Sequence, residues 1–336
     1  MTTAHYFQYN QPFKLESGGQ LPGFQLAYHT FGKINEKRDN VVWIIHALTA
    51  NSNPLEWWPG VVGPGEAIDP EKHFIVCANC LGSHYGSTSP LSINPGTGRP
   101  YYRSVPQFTN RDVVKTFDLL RQFLGIDKIN LLTGASLGGQ QCLEWTIMQP
   151  ELIENVHLLA TNAEHSPWGI AFNESQRMAI EADPTFHEDR DDGGLLGMKT
   201  ARSIALLSYR TAVGYNSTQA RMNGEIDDYR ASSYQRYQGE KLARRFNAYS
   251  YWYLSKAMDS HNVGRGRTDT IAALKSIRSN IVVTGIESDI LFPIKEQELL
   301  ARHISGAELV RLKSPLGHDG FLTENEKVSR VFRRII

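Results

Sequence analysis

Five short, predominantly apolar runs constrain this chain more than any other feature: Val41 to Ile45, Phe74 to Cys77, Ile129 to Leu132, Val156 to Ala160 and Ile281 to Val283. A strand covered on both faces loses the in-out alternation of a half-exposed one, so such runs predict the central strands of a parallel sheet. A sixth run, Leu309 to Leu312, is less apolar. Gly23 to Phe31 instead alternates through Phe24, Leu26 and Tyr28, which fits an antiparallel strand near the edge. Between the runs lies helical spacing. Asp112 to Leu124 places Val113, Val114, Phe117, Leu120 and Phe123 on one face and meets Gly125 as its stop. Strand and helix alternate, so the class is α/β.

From Ser166 to Ser279 the β-branched runs disappear and consecutive helices are expected. Ser166-Pro167 opens the first and Asp183-Pro184 stops it. Further helices are expected over Gly197 to Ala212, Ser232 to Phe246 and Ala248 to Met258. The 336 residues thus divide into a discontinuous sheet domain, 1–165 and 280–336, interrupted by a helical insertion at 166–279.

Several classes of function are disfavoured. Lys and Arg total 35, as do Asp and Glu, so no global field draws the chain to nucleic acid or to an anionic membrane. The longest uninterrupted aliphatic or aromatic run, Val41 to Ile45, is far short of the ~20 residues that span a bilayer. Met1 to Asn10 has neither a basic start nor a long apolar stretch, and three cysteines make no disulfide framework, so a cytoplasmic protein is expected. Cys77 and Cys80 form a C-x-x-C, but zinc would need two more ligands and a redox pair would open a helix rather than end a strand. They are read as packing residues. The acidic stretch Glu188 to Gly194 lacks calcium-loop spacing and is read as a solvated loop. No metal or cofactor is expected.

Gly134-Ala135-Ser136-Leu137-Gly138 follows a strand and opens a helix running to Met148. In that context a G-x-S-x-G is a nucleophile elbow: small residues two before and two after the serine permit the sharp turn, and the helix N-terminus favours developing negative charge. A serine hydroxyl needs a base, and the expected chain order is Ser, acid, His. Asp289 follows the strand ending at Val283, and His318 follows the last strand, both where loops project over the sheet's C-terminal edge. Glu287 competes with Asp289 as the acid that orients the histidine. The oxyanion hole should use the amide of Leu137, after the nucleophile, and that of Leu48, in the loop after Val41 to Ile45; His46 is expected to support that loop.

The chain resembles the homoserine O-acyltransferases, which have the α/β-hydrolase fold with an inserted helical lid. The resemblance runs through His-Ala-Leu-Thr at 46–49, Gly-Ser-Thr-Ser-Pro at 86–90, Gly-Ala-Ser-Leu-Gly-Gly at 134–139 and Glu-Trp at 144–145. It continues with Gln-Arg-Met-Ala-Ile-Glu-Ala-Asp-Pro at 176–184, Ala-Arg at 201–202, Ser-Tyr-Arg at 208–210 and Val-Gly-Arg-Gly-Arg at 263–267. It closes with Ser-Asp-Ile-Leu-Phe-Pro at 288–293 and Gly-His-Asp-Gly-Phe-Leu at 317–322. The resemblance implies Ser136 as nucleophile, His318 as general base and acid, and Asp289 as its orienting group. It also implies that acyl-CoA, a co-substrate rather than a cofactor, donates an acetyl group to the side-chain hydroxyl of L-homoserine in methionine biosynthesis. Arg202 and Asp319 match the family's substrate-binding residues. A zwitterion in a dry pocket needs one fixed cation and one fixed anion, which is the physical sense of that pair. A homodimer joined through the insertion is implied as well. Anionic CoA needs local basic groups, for which Arg265 and Arg267 are candidates.

Where the family has glycine and methionine around the nucleophile, this chain has Ala135 and Leu137, which keep one small and one apolar residue. Thr-Ala-Asn-Ser-Asn at 49–53 departs more, where the family commonly has a glycine and a histidine, and acyl-group choice could change there. A succinyl donor, a serine esterase or thioesterase, and a non-catalytic module on the same fold are the alternatives.

Overall fold

The computed structural model describes residues 3–221 and 226–336. One sheet is built from β1 (His5–Tyr9), β2 (Phe24–Phe31), β3 (Val41–Ile45), β4 (Phe74–Ala78), β5 (Ile129–Ala135), β6 (Ile153–Leu159), β7 (Asn280–Ile286) and β8 (Glu308–Leu312). Their spatial order is β1-β2-β4-β3-β5-β6-β7-β8. β2 pairs antiparallel with β1 and β4, and every other neighbouring pair is parallel. The apolar runs take the middle of the sheet. All of β3 is buried, because helices cover both faces there.

Trp43 on β3 meets Trp145 edge-on at 5.0 Å in the core of one face. On the other face Trp58 meets Phe332, also edge-on, at 5.6 Å. The first core is closed by α1 (Asn110–Phe123) and α2 (Leu137–Met148), the second in part by α10 (Asn325–Ile335). α1 begins where Thr109 and Asp112 exchange hydrogen bonds as a capping box, and Gly125 beyond it has φ of +63°. α2 has no amphipathic signature, since nearly all of it is buried.

Between β6 and the return of the chain to the sheet domain the described residues form α3 (Pro167–Glu181), α4 (Leu195–Tyr209), α5 (Ala212–Thr218), α6 (Arg230–Ala243) and α7 (Ala248–Asp259). The chain leaves the sheet domain and returns to it through one neck. There the His165 amide donates to the His261 carbonyl at 2.9 Å, and the Val263 amide to the Ala163 carbonyl at 3.0 Å. Residues beyond the neck run back along the sheet domain, where Arg265 pairs with Glu16, Arg267 with Glu144, and α8 (Thr270–Lys275) lies against α9 (Ile294–His303). We therefore draw the inserted unit as 166–261, shorter than the 166–279 expected from helical composition.

The insertion's interior is partly polar. Arg177, 2% exposed, reaches Asp259 and Glu174 at 2.5 Å each, and Asn173 donates to Asp259 at 2.7 Å. The stretch from Asn79 to Pro100 is an ordered loop with one two-residue hairpin, Ile93–Asn94 against Arg99–Pro100. It supports the insertion through contacts such as Tyr85 Oη donating to the Arg245 carbonyl at 2.7 Å. No helix among the described residues is long and apolar enough to cross a membrane.

Candidate active site

β5 ends at Ala135 and α2 begins at Leu137, leaving Ser136 on the turn with φ of +57° and ψ of −124°. A non-glycine residue held there is strained, and its surroundings over-determine it. The Ser136 amide donates to the Leu159 carbonyl at 3.0 Å, and the Ser136 carbonyl accepts from Thr161 Oγ1 at 2.9 Å. The flanking glycines have a steric reason. A Cβ on Gly134 would lie 2.6 Å from the Gly138 carbonyl carbon, and one on Gly138 would lie 2.3 Å from the Ile45 carbonyl oxygen.

His318 Nδ1 lies 2.6 Å from Asp289 Oδ2, and both side chains are buried. The other carboxylate oxygen accepts from the Leu291 and Phe292 amides at 2.8 and 3.0 Å, which fixes the carboxylate plane. β7 continues to Ile286, so Asp289 sits three residues past the strand rather than six past Val283. Ser288 Oγ ties the two loops, donating to the Ser314 carbonyl at 2.6 Å and accepting from the Gly317 amide at 3.2 Å. Glu287 is exposed, and the acid on His318 is Asp289. The imidazole stacks on Phe292 at 5.1 Å. Burial alone would lower its pKa, but the charge and hydrogen bond of Asp289, with a smaller contribution from Asp319, raise it above the ordinary histidine value.

Ser136, His318, Leu48, Arg202, Tyr209 and Asp319 all line one cavity of about 340 Å³ between the sheet's C-terminal edge and the insertion. Leu137 opens α2, and its amide is one of the donors that a helix start leaves without an intrahelical partner. Arg202 comes from α4, has no carboxylate partner among the described residues, and lies 5.3 Å from the Tyr209 ring centroid. Asp319 does have one: Arg210 Nε approaches its Oδ2 at 2.8 Å. The sequence reading gave Tyr209 and Arg210 no role, although both sit in the Ser-Tyr-Arg motif at 208–210. Their signal was position alone, since nothing in the sequence says that the end of α4 abuts the His318 loop. Thr211 Oγ1 donates to the Pro315 carbonyl there and holds the two together.

The expectation that Arg265 and Arg267 serve the anionic co-substrate is corrected. Both lie at the return of the chain to the sheet domain, paired with Glu16 and Glu144, and neither lines the cavity. A second cation of the insertion on the cavity wall is Arg245, whose Nη1 donates to the Thr49 carbonyl at 2.5 Å and to Tyr85 Oη at 3.1 Å. Among the described residues no group of three or more His, Cys, Asp or Glu could hold a metal ion. Cys77 and Cys80 are buried free thiols, and burial pushes Cys80 up to about 12, which keeps it protonated.

A strained serine after a central parallel strand, a histidine held by an aspartate, and a cavity over the sheet edge define an α/β hydrolase. The family model for the alpha/beta hydrolase fold matches residues 40–325. Within that class the chain belongs to the homoserine O-acetyltransferase family. It is 47% identical over 331 residues to the homoserine O-acetyltransferase of Cyclobacterium marinum, covering 98% of this chain and 94% of that one. It is 44% identical over 332 residues to that of Chlorobaculum tepidum, covering 98% and 93%. Among solved structures, homoserine O-acetyltransferase from Bacillus anthracis superposes with a TM-score of 0.91 at 22% identity, over 100% of this chain and 98% of that one. Esterase E22 superposes equally well, TM-score 0.91 at 21% identity, over 100% of both chains. At that identity the two likenesses speak for the fold alone.

Proposed function

We propose that this protein transfers an acetyl group from acetyl-CoA to the side-chain hydroxyl of L-homoserine through an acyl-serine intermediate, a step of methionine biosynthesis. The observation that carries the reading is one cavity lined by Ser136 and by His318, behind which Asp289 is buried, together with Arg202 and Asp319. Hydrolysis of a simple ester needs the first three. An amino-acid acceptor needs the last two.

Ser136 Oγ attacks the thioester carbonyl carbon and gives its proton to His318 Nε2, the nitrogen left free by the Asp289 hydrogen bond. The Leu48 and Leu137 amides receive the oxyanion. Collapse breaks the C–S bond, and the departing CoA thiolate takes the proton from His318. The homoserine hydroxyl then gives its proton to His318 and attacks the acyl-serine, and Ser136 leaves with that proton. Arg202 holds the substrate carboxylate and Asp319 its ammonium group, both largely shielded from water by the insertion. No cofactor takes part. A homodimer through the insertion, where Leu196, Leu207 and Val213 are exposed, and a cytoplasmic location complete the reading.

Two observations favour other outcomes. Arg245 on the cavity wall could pair with the free carboxylate of a succinyl donor. The esterase neighbours share the fold, so hydrolysis is open to the same serine. Steady-state rates with acetyl-CoA or succinyl-CoA against homoserine, serine or water separate all three. Parallel lines in double-reciprocal plots with acetyl-CoA and homoserine are expected. Intersecting lines, or hydrolysis that homoserine does not divert, would end the proposal.

A further inference from the structure

We infer that His46 is a positioning residue for the oxyanion hole, holding as its Nδ1–H tautomer the single peptide group that carries the Leu48 amide. This rests on the acyl-transfer reading above. His46 follows β3, is fully buried, and lines neither the cavity nor any metal site among the described residues. The Cys80 amide donates to its Nε2 at 3.0 Å. A backbone N–H can only donate, so Nε2 carries no proton and Nδ1 must carry it. Nδ1 lies 2.8 Å from the Ala47 carbonyl oxygen, which therefore accepts that proton. The tautomer is fixed by the backbone rather than chosen.

The Ala47 carbonyl and the Leu48 amide are the two ends of one planar peptide group. Fixing the oxygen fixes the direction in which the Leu48 N–H points, and hydrogen bonds to a carbonyl polarise the amide on its far side. The Ala50 amide also donates to the Ala47 carbonyl, at 3.0 Å, so the oxygen is held from two directions. The imidazole stays neutral in this role, with burial pushing it down to about 4. The other amide of the hole is tied to the same strand end, since Gly138 on α2 approaches the Ile45 carbonyl too closely to admit a Cβ.

Support for His46 extends beneath α2. Cys80 Sγ donates to Gln141 Oε1, Gln141 to Asn110, Asn110 to Gln140, and Gln140 to Asn162, all through buried side chains. Asn162 in turn donates to Glu296 at 2.9 Å. Each amide in this series presents its oxygen to one neighbour and its nitrogen to the next.

The test uses the full-length protein and two replacements that split the imidazole's functions. The amide of His46→Asn falls near Nδ1 and can still donate to Ala47, while that of His46→Gln falls near Nε2 and can only satisfy Cys80. Expected is a kcat for His46→Asn within about threefold of the parent, and for His46→Gln a loss of about tenfold or more, below the ~10²-fold cost of deleting an oxyanion donor outright. The homoserine KM should hold within about twofold in both, since the acceptor site is elsewhere. Equal rates for the two variants, or a loss that appears in KM, overturns the inference. A measurement on the unaltered protein does not depend on either variant folding: ¹⁵N-edited NMR should show His46 protonated at Nδ1 across pH 6 to 8, and protonation at Nε2 overturns it. Ser136→Ala distinguishes the two levels of failure. An active Ser136→Ala removes the acyl-transfer reading itself, whereas an inactive one beside an unaffected His46→Gln removes only the role of His46.

Discussion

The sheet domain and the helical insertion solve different problems with different forces. The sheet domain holds Ser136 by burial: β3 is wholly enclosed, α2 is buried over most of its length, and the elbow is locked by backbone hydrogen bonds and glycine contacts. Such packing leaves few alternatives, because a close-packed interior cannot shift by small amounts. The insertion supplies Arg202 and Arg245, and its interior depends on directional polar contacts such as Arg177 with Asp259 and Tyr251 with Gln176. A strained nucleophile needs the first kind of support. On the proposed mechanism, placing a cation for a substrate carboxylate needs the second, since that cation must stay available until the substrate arrives.

If that division is right, damage to the sheet domain's site should appear in kcat and damage to the insertion in KM or stability. The largest effect is expected for Asp289→Asn. Its amide favours the wrong imidazole tautomer, and kcat should fall about 10⁴-fold with the fold intact by circular dichroism. Glu287→Gln, on an exposed side chain of the same loop, should leave kcat unchanged; the reverse result would reassign the orienting acid.

Arg177→Met tests the insertion's interior. Removing one partner of a buried pair leaves Asp259 uncompensated and should cost about 3–5 kcal/mol, read as a lower melting temperature with activity retained in the cold. An unchanged melting temperature would mean that the insertion is held by its apolar contacts instead. Arg202→Lys comes next. It keeps the charge but loses the planar fork, and should raise the homoserine KM about tenfold or more while acylation of Ser136, followed by mass spectrometry, proceeds as before. A slowed acylation would show that α4 also serves the nucleophile.

The smallest effect concerns pH. His318 must be neutral to accept the serine proton, and its pKa is raised, so kcat/KM should fall on the acid side at a pH above the ordinary histidine value. Asp319 contributes to that elevation through its charge. In Asp319→Asn the acid limb should therefore move to lower pH, alongside a weaker grip on the substrate ammonium. An unmoved limb would mean that Arg210, 2.8 Å from Asp319, already cancels its charge at His318.

The strands and the elbow were legible because burial on both faces and a forced turn leave marks in neighbouring residues. β3 and β4 follow the apolar runs closely and β5 runs three residues past its own, while Gly134 is required by a contact within the motif's turn and Gly138 by the Ile45 carbonyl at the end of β3. β7 ran further than its apolar core suggested, through Thr284 and Gly285, because a sheet interior accepts small and hydroxyl-bearing residues that periodicity does not count. The insertion was legible as helices but not in its limits: residues 262–279 share its composition yet lie along the sheet domain, and only the neck at His165 and His261 shows where the chain returns.

Arg265 and Arg267 mark the limit of composition as a guide. A basic motif in an insertion was a reasonable place to look for an anion's partner, but Glu16 and Glu144, more than a hundred residues away in sequence, already pair with both and with Arg111 between them. Charge in a sequence is only potential charge, because whether an arginine is free depends on what folds against it.

Short-range chemistry determined what the sequence could declare by itself: the α/β class, the strand-turn-helix that strains Ser136, and the chain order of serine, acid and histidine. Tertiary structure decided everything that depends on separation in space. It chose Asp289 over Glu287, joined Arg210 to Asp319, left Arg202 in the cavity with no carboxylate partner among the described residues, and set the His46 tautomer through Cys80. The physical reason is common to all four, since a hydrogen bond or ion pair acts over a few ångströms of space, and no local pattern specifies which distant residues the fold will bring that close.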